Sequence, residues 1–166
     1  MAKNIVVDGD AVKGTDKHNV TGSATNPAPP PAPPTVPYAG IADFDYVGKM
    51  TSKLSDFVTI AGKAVAVATS ESSLDPGESA PAAGKHAGMN GKNFTPPTPA
   101  PITPTISITD PIGKGMPGAA AGSAFVTVDG VKVLLDGDTI DTCDGLSIPG
   151  NSTVTASKQD FVSCSE

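Results

Sequence analysis

One short pattern occurs three times in this chain: apolar, any, apolar, any, Gly, any, any, Val. It fits Ile5–Val12, Val58–Val65 and Val126–Val133. The first half alternates with period two, as a half-buried strand does. The glycine falls where a tight turn needs positive φ. Repetition of one unit predicts three β-hairpins in a single body rather than three unrelated elements. A spacing of 68 residues reinforces the repeat. It separates Val58 from Val126, and it separates Lys17-His18 from Lys85-His86.

The residues between the repeats exclude most other folds. Of 166 residues, 18 are Gly and 17 are Pro. Good helix formers are scarce, and turn formers and β-branched residues are plentiful. The expected fold class is mainly β: a small body of three hairpins with pseudo-threefold symmetry, forming one domain over residues 1–166. Two prolyl runs, 26–37 and 96–104, can form neither helix nor central strand. Polyproline II is their natural state. They read as straps along the β body or as ligands for a proline-recognition module. Residues 70–83 read as an exposed loop. Ile41, Phe44, Val47, Met50, Leu54 and Phe57 are spaced by threes and fours, which predicts at most one short helix. Thr153–Thr155 and Phe161–Cys164 read as further strands.

Charge narrows the partners. The formal net charge is −6, all 11 basic residues are Lys, and there is no Arg. A nucleic-acid interface needs clustered cations, with Arg for bidentate phosphate contacts, so none is expected. No apolar stretch is long enough for a membrane helix, so no stable membrane insertion is expected. The N-terminus enters a strand-like run without a signal-peptide pattern, which predicts assembly in the cytoplasm.

Metal chemistry is the remaining signal. His18, His86, Cys143 and Cys164 are the only His and Cys residues, and together they make a full tetrahedral zinc set. One follows each repeat: His18 the first, His86 the second and Cys143 the third. Cys164 lies near the end. Convergence on the pseudo-threefold axis would close the site to substrate and make the metal structural. Zinc is the expected ion, and iron suits the same donors. Asp-Gly turns at Asp8–Asp10 and Asp136–Asp138 lack the spacing of a calcium loop. No nucleophile stands beside a general base, and no Gly-x-Ser-x-Gly elbow occurs. The expected role is therefore not enzymatic.

Residues Val126–Asp138, Cys143-Asp144-Gly145 and Pro149–Val154 resemble the C-terminal part of PAAR-repeat proteins. Residues 14–22 resemble a looser copy. The Pro-Ala-Ala-Arg element itself is absent: the second and third repeats carry Lys63-Ala64-Val65 and Val131-Lys132-Val133. The resemblance implies a small cone-like body that is the spike tip of a contractile injection system, such as a type VI secretion machine or a phage-tail-like particle. It implies one tip per trimeric VgrG-like spike, transient contact with the target envelope, and a metal near the apex held by His and Cys. The alternative is a surface or secreted β-rich binding module that recognises a partner through its prolyl loops.

Overall fold

The computed structural model describes residues 1–25, 30–79, 86–88, 100–101, 107–109, 114–142 and 150–165. All regular structure among them is β. The strands are β1 (Ala2–Asn4), β2 (Ala11–Thr25), β3 (Thr35–Ser52), β4 (Thr59–Ile60), β5 (Lys63–Ala64), β6 (Glu71–Ser79), β7 (His86–Gly88), β8 (Ala100–Pro101), β9 (Ser107–Ile108), β10 (Met116–Pro117), β11 (Thr127–Val128), β12 (Val131–Lys132), β13 (Thr139–Asp141), β14 (Ser152–Thr155) and β15 (Ser163–Ser165).

At the centre, three short segments close a triangle. Residues 5–7, 65–67 and 133–135 bridge one another through Ile5–Leu135, Val7–Val65 and Val67–Val133. The N–H of Val6 donates to the carbonyl of Leu134, that of Leu134 to Ala66, and that of Ala66 to Val6, each at 2.9 Å. A second ring runs from Asp8 to Ala64, Ala68 to Lys132 and Asp136 to Asn4, at 2.8, 2.8 and 2.9 Å. Each segment thus satisfies its backbone on both sides, which a buried backbone requires.

Alternation along the segments divides the interior in two. The middle residues Val6, Ala66 and Leu134 enter one core with Val12, Tyr46, Met50, Ile140 and Val154. The flanking residues Ile5, Val7, Val65, Val133 and Leu135 enter a second with Ile60, and Val58, Val126, Val128, Val162 and Cys164 pack against it. This second core is the hairpin end of the molecule.

The hairpins are β4–β5 and β11–β12. Their turns, Ala61-Gly62 and Asp129-Gly130, have positive φ at both residues (51 and 76°, 52 and 77°). Such turns match the twist of the flanking strands. The first copy differs from expectation. Residues 5–12 form no hairpin; β1 pairs instead with β15, Lys3 opposite Cys164. The third hairpin position is therefore built from the two ends of the chain. The Asp8-Gly9 turn corresponds to Asp136-Gly137, not to Gly62 or Gly130. Gly9 and Gly137 carry φ of 83 and 81°.

One side chain closes the turn after each central segment. Asp10 Oδ2 accepts from the Val7 N–H at 2.8 Å, Ser70 Oγ from Val67 at 2.9 Å, and Asp138 Oδ2 from Leu135 at 2.7 Å. Asp10 Oδ1 also accepts from the N–H groups of Ser157 and Lys158. Asp138 also accepts from Gly122, and Ser70 donates to the Lys53 carbonyl. A buried charged acceptor serving three donors is worth more than one serving two, and a hydroxyl is worth least. Replacement by Ala should therefore destabilise in the order Asp10, Asp138, Ser70, with Asp10→Ala costing on the order of 3 kcal/mol or more. Urea unfolding of the three variants checks this, and a larger loss for Ser70→Ala than for Asp10→Ala would contradict it.

Beyond the triangle, β2 and β3 form a long antiparallel ribbon, in register from Ala11–Lys49 to Thr25–Thr35. The sheet order is β10-β13-β14-β2-β3-β6. The Ser72 N–H donates to the Gly115 carbonyl at 2.8 Å, which ties the two outer edges together. The helix expected within 41–57 is absent. Tyr38, Gly40, Phe44, Tyr46, Gly48 and Met50 are buried, the period of a strand. Residues 71–79, expected in an exposed loop, form β6, whose register shifts opposite Val47 and Gly48. Ser72 is buried on the Tyr46 hydroxyl at 2.6 Å. Residues 80–83 of that loop lie outside the described residues. Thr35–Pro37 pair with Ser23–Thr25, and Ala100–Pro101 pair with Ala24–Thr25. The rest of both prolyl runs is described only at residues 30–34.

Candidate functional site

The threefold repeat has an outer layer. Ser55 Oγ accepts from the N–H groups of Phe57 and Val58. Ser123 Oγ accepts in the same way from Phe125 and Val126. Gln159 Oε1 does so for Phe161 and Val162. Each short loop turns its Val into the hairpin-end core and its Phe outward. Phe57, Phe125 and Phe161 are 69, 76 and 65 % exposed. Three large aromatic side chains thus stand in solvent at equivalent positions of the three repeats. A groove beside Phe57 is lined by Leu54, Val128 and Val131 and has a volume of about 160 Å³. The sequence signal for this layer is Phe-Val followed by Thr or Ser, at 57–59, 125–127 and 161–163. It is visible without a structure once the chain ends are allowed to form one unit.

At the other end, β2 alternates strictly: Val12, Asp16, His18 and Val20 are buried, while Lys13, Thr15, Lys17 and Asn19 are exposed. His18 is fully buried, and its ring meets that of Phe44 edge-on with centroids 5.7 Å apart. Val20, Tyr38 and Phe44 form the adjoining apolar cluster. Burial pushes the Tyr38 hydroxyl above its ordinary pKa. Asp16, two residues before His18, shares its inward face. Asp16 Oδ1 accepts from Thr142 Oγ1 at 2.5 Å and from Asn151 Nδ2. Thr142 also bonds Ser152 Oγ at 2.8 Å. Gly14 permits this approach, because a Cβ there would stand 2.6 Å from Ser152 Cα. Asp16 Oδ2 is buried with no hydrogen-bond partner among the described residues.

The expected metal ligands are distributed as follows. His18 pairs across the sheet with Ala42, and Ala42 with His86, so positions 18 and 86 share one row two strands apart. Cys143 lies outside the described residues and directly follows Thr142 in the chain. Cys164 is a free thiol against the hairpin-end core, in the place Ile60 and Val128 take in the other two repeats. There it acts as a small hydrophobe. No group of three or more His, Cys, Asp or Glu poised for a metal occurs among the described residues. The 68-residue spacing of the two histidines is not the repeat relation. The first and second units are offset by 60 residues (Ile5 to Val65), and the second and third by 68 (Val65 to Val133).

Among the described residues, no helix is long and apolar enough to cross a membrane. No protein-family model, no curated protein and no solved structure matches the chain.

Proposed function

We propose that the chain is a non-enzymatic tip protein that seats its hairpin end on a threefold-symmetric trimer, as the cap of the spike of a contractile injection particle. The observation that carries this reading is the set of exposed Phe57, Phe125 and Phe161, one per repeat, around a single apolar core. A single chain with three equivalent contacts matches a trimer, because each repeat meets an equivalent partner surface. The backbone supports a mechanical role. The central triangle leaves none of its three segments with a free edge, and the ribbon it feeds is paired along its whole length. The resemblance of residues 126–155 to PAAR-repeat proteins agrees in kind. In this role the tip leads the spike through the target envelope and needs no catalytic group.

The test is stoichiometry. Mixed with trimeric spike proteins of contractile injection particles, the chain should form a complex of one tip to three spike chains, read by native mass spectrometry. A one-to-one complex, or none with any such trimer, would remove the reading.

A further inference from the structure

Where β2, β13 and β14 meet, a hydroxyl, a carboxylate and a side-chain amide are packed together. Thr142 and Asp16 are fully buried, and Asn151 is half-buried. Thr142 Oγ1 donates to Asp16 Oδ1 at 2.5 Å, the relation of a nucleophile to its general base. The Thr142 N–H donates to Asn151 Oδ1 at 3.1 Å. Serine hydrolases likewise use the nucleophile's own N–H as an oxyanion donor. Asp16 Oδ2 has no partner among the described residues, which leaves one oxygen of the base open to a proton.

The amide nitrogen is crowded. It carries two hydrogens, yet the Thr15 carbonyl at 3.0 Å, Thr142 Oγ1 at 2.9 Å and Asp16 Oδ1 all accept from it. One hydrogen is therefore shared between two oxygens. Asn151 Cγ is bonded to Nδ2 at about 1.33 Å, so it lies within about 4.2 Å of Thr142 Oγ1. Rotation of the amide about χ2, a soft torsion, closes this to the roughly 3–3.5 Å of attack.

The geometry points to a self-formed ester between Thr142 and Asn151, made once per chain with Asp16 as the general base. Asp16 takes the hydroxyl proton while Thr142 Oγ1 bonds to Asn151 Cγ. Negative charge develops on Asn151 Oδ1, against the Thr142 N–H. The Cγ–Nδ2 bond then breaks, and Asp16 returns the proton to the departing nitrogen, which already stands beside it. Ammonia leaves by the solvent side of Asn151, and Asp16 is a carboxylate again. No oxidant, reductant or other co-reactant takes part. The ester closes residues 142–151 into a covalent ring and fixes the start of β14 to the end of β13. This inference does not rest on the tip reading, and either can fail without the other.

The experiment uses the full chain, purified folded and held at neutral pH. Its intact mass should fall below the sequence mass by about 17 Da, one ammonia. Proteolytic cleavage beside Asp144, between the two residues, should leave the pieces joined, and hydroxylamine should part them. Thr142→Ser should keep the mass loss. Thr142→Val and Asn151→Asp should show none, since one lacks the nucleophile and the other the amide. Asp16→Asn keeps the size and should form the bond about a hundredfold more slowly. The unreacted mass in the folded parent would overturn the proposal. So would a mass loss that persists in Thr142→Val, the mark of cyclisation onto the backbone instead. The parental rate in Asp16→Asn would overturn the role given to Asp16. The parent and Thr142→Ser decide the matter where another variant does not fold.

Discussion

A chain carrying Phe57→Ser, Phe125→Ser and Phe161→Ser together is expected to fold as the parent does and to bind its trimeric partner on the order of a thousandfold more weakly. The fold should survive because all three rings are more than 60 % exposed in the free chain. Their backbone N–H groups, not their side chains, make the bonds that fix the loops. Surface changes of this sort usually stay within about 0.5 kcal/mol. Burying a Phe side chain is worth roughly 1.5–3 kcal/mol, and these rings have about two thirds of that left to gain on docking. Three such contacts sum to about 4 kcal/mol, or three decades in Kd. Each single variant should lose about tenfold, and the three losses should be alike. Calorimetric titration of single, double and triple variants reads the series. If the triple variant keeps parental affinity, the hairpin end is not the docking face. If one Phe carries the whole effect, the partner is not threefold.

The sequence made the class of fold legible, and two of its three hairpins, because the Gly-bearing turns at Gly62 and Gly130 are local signals. It misassigned the first. Ile5–Val12 satisfies the same pattern, yet its glycine belongs to the turn after the central segment, a turn that Ala68-Thr69 builds without any glycine. The deeper reason is topological. The first copy is shared between residues 2–10 and 159–165, and no linear scan joins them. The helix reading of 41–57 failed for a physical reason. Two of the inward positions on β3 are glycines, Gly40 and Gly48, which add nothing to an apolar pattern. The outward Ile41 and Val47 then simulated a helical spacing. β6 was hidden by Pro76 and Gly77, which the strand absorbs where its register against β3 shifts. On the inward face of β2, the sequence marked His18 by its chemistry. It did not mark Asp16, one of 17 acidic residues, which stands apart only once burial removes its solvent. Cys164 shows the converse. Its chemistry suggested a ligand, and its equivalence to Ile60 and Val128 is a packing fact that only the repeat alignment supplies.

Removing residues 159–166 should abolish cooperative folding, although the deleted piece is short and lies at an end. It supplies one third of the hairpin end. β1 would lose its partner β15, and the Ile5 N–H would lose the Val162 carbonyl at 3.1 Å. Gln159 makes four bonds there. Its Nε2 donates to the carbonyls of Ile5 and Val162 at 2.7 and 2.9 Å, and its Oε1 accepts from Phe161 and Val162 at 3.2 and 2.8 Å. Val162 and Cys164 would leave the apolar cluster they pack against. At about 1 kcal/mol per hydrogen bond plus the apolar burial, the loss is of the order of a whole domain's stability, about 5–15 kcal/mol. The truncated chain should show no sharp melting transition and should bind a hydrophobic dye. A circular permutant separates this account from a general need for length. Joining Cys164 to Lys3 through Asp-Gly copies the link between Val128 and Val131 in the third unit, and new ends can open at Ala61-Gly62. That chain gives up the Ala2–Ser165 pair and keeps the other contacts named above while moving the ends to another hairpin. It should melt cooperatively within several degrees of the parent, since about 1 kcal/mol shifts the melting temperature of a chain this size by roughly 2–4 °C. A permutant that fails to fold would show that the ends at β1 and β15 are not interchangeable with a hairpin turn. The threefold equivalence would then hold for the backbone pattern alone.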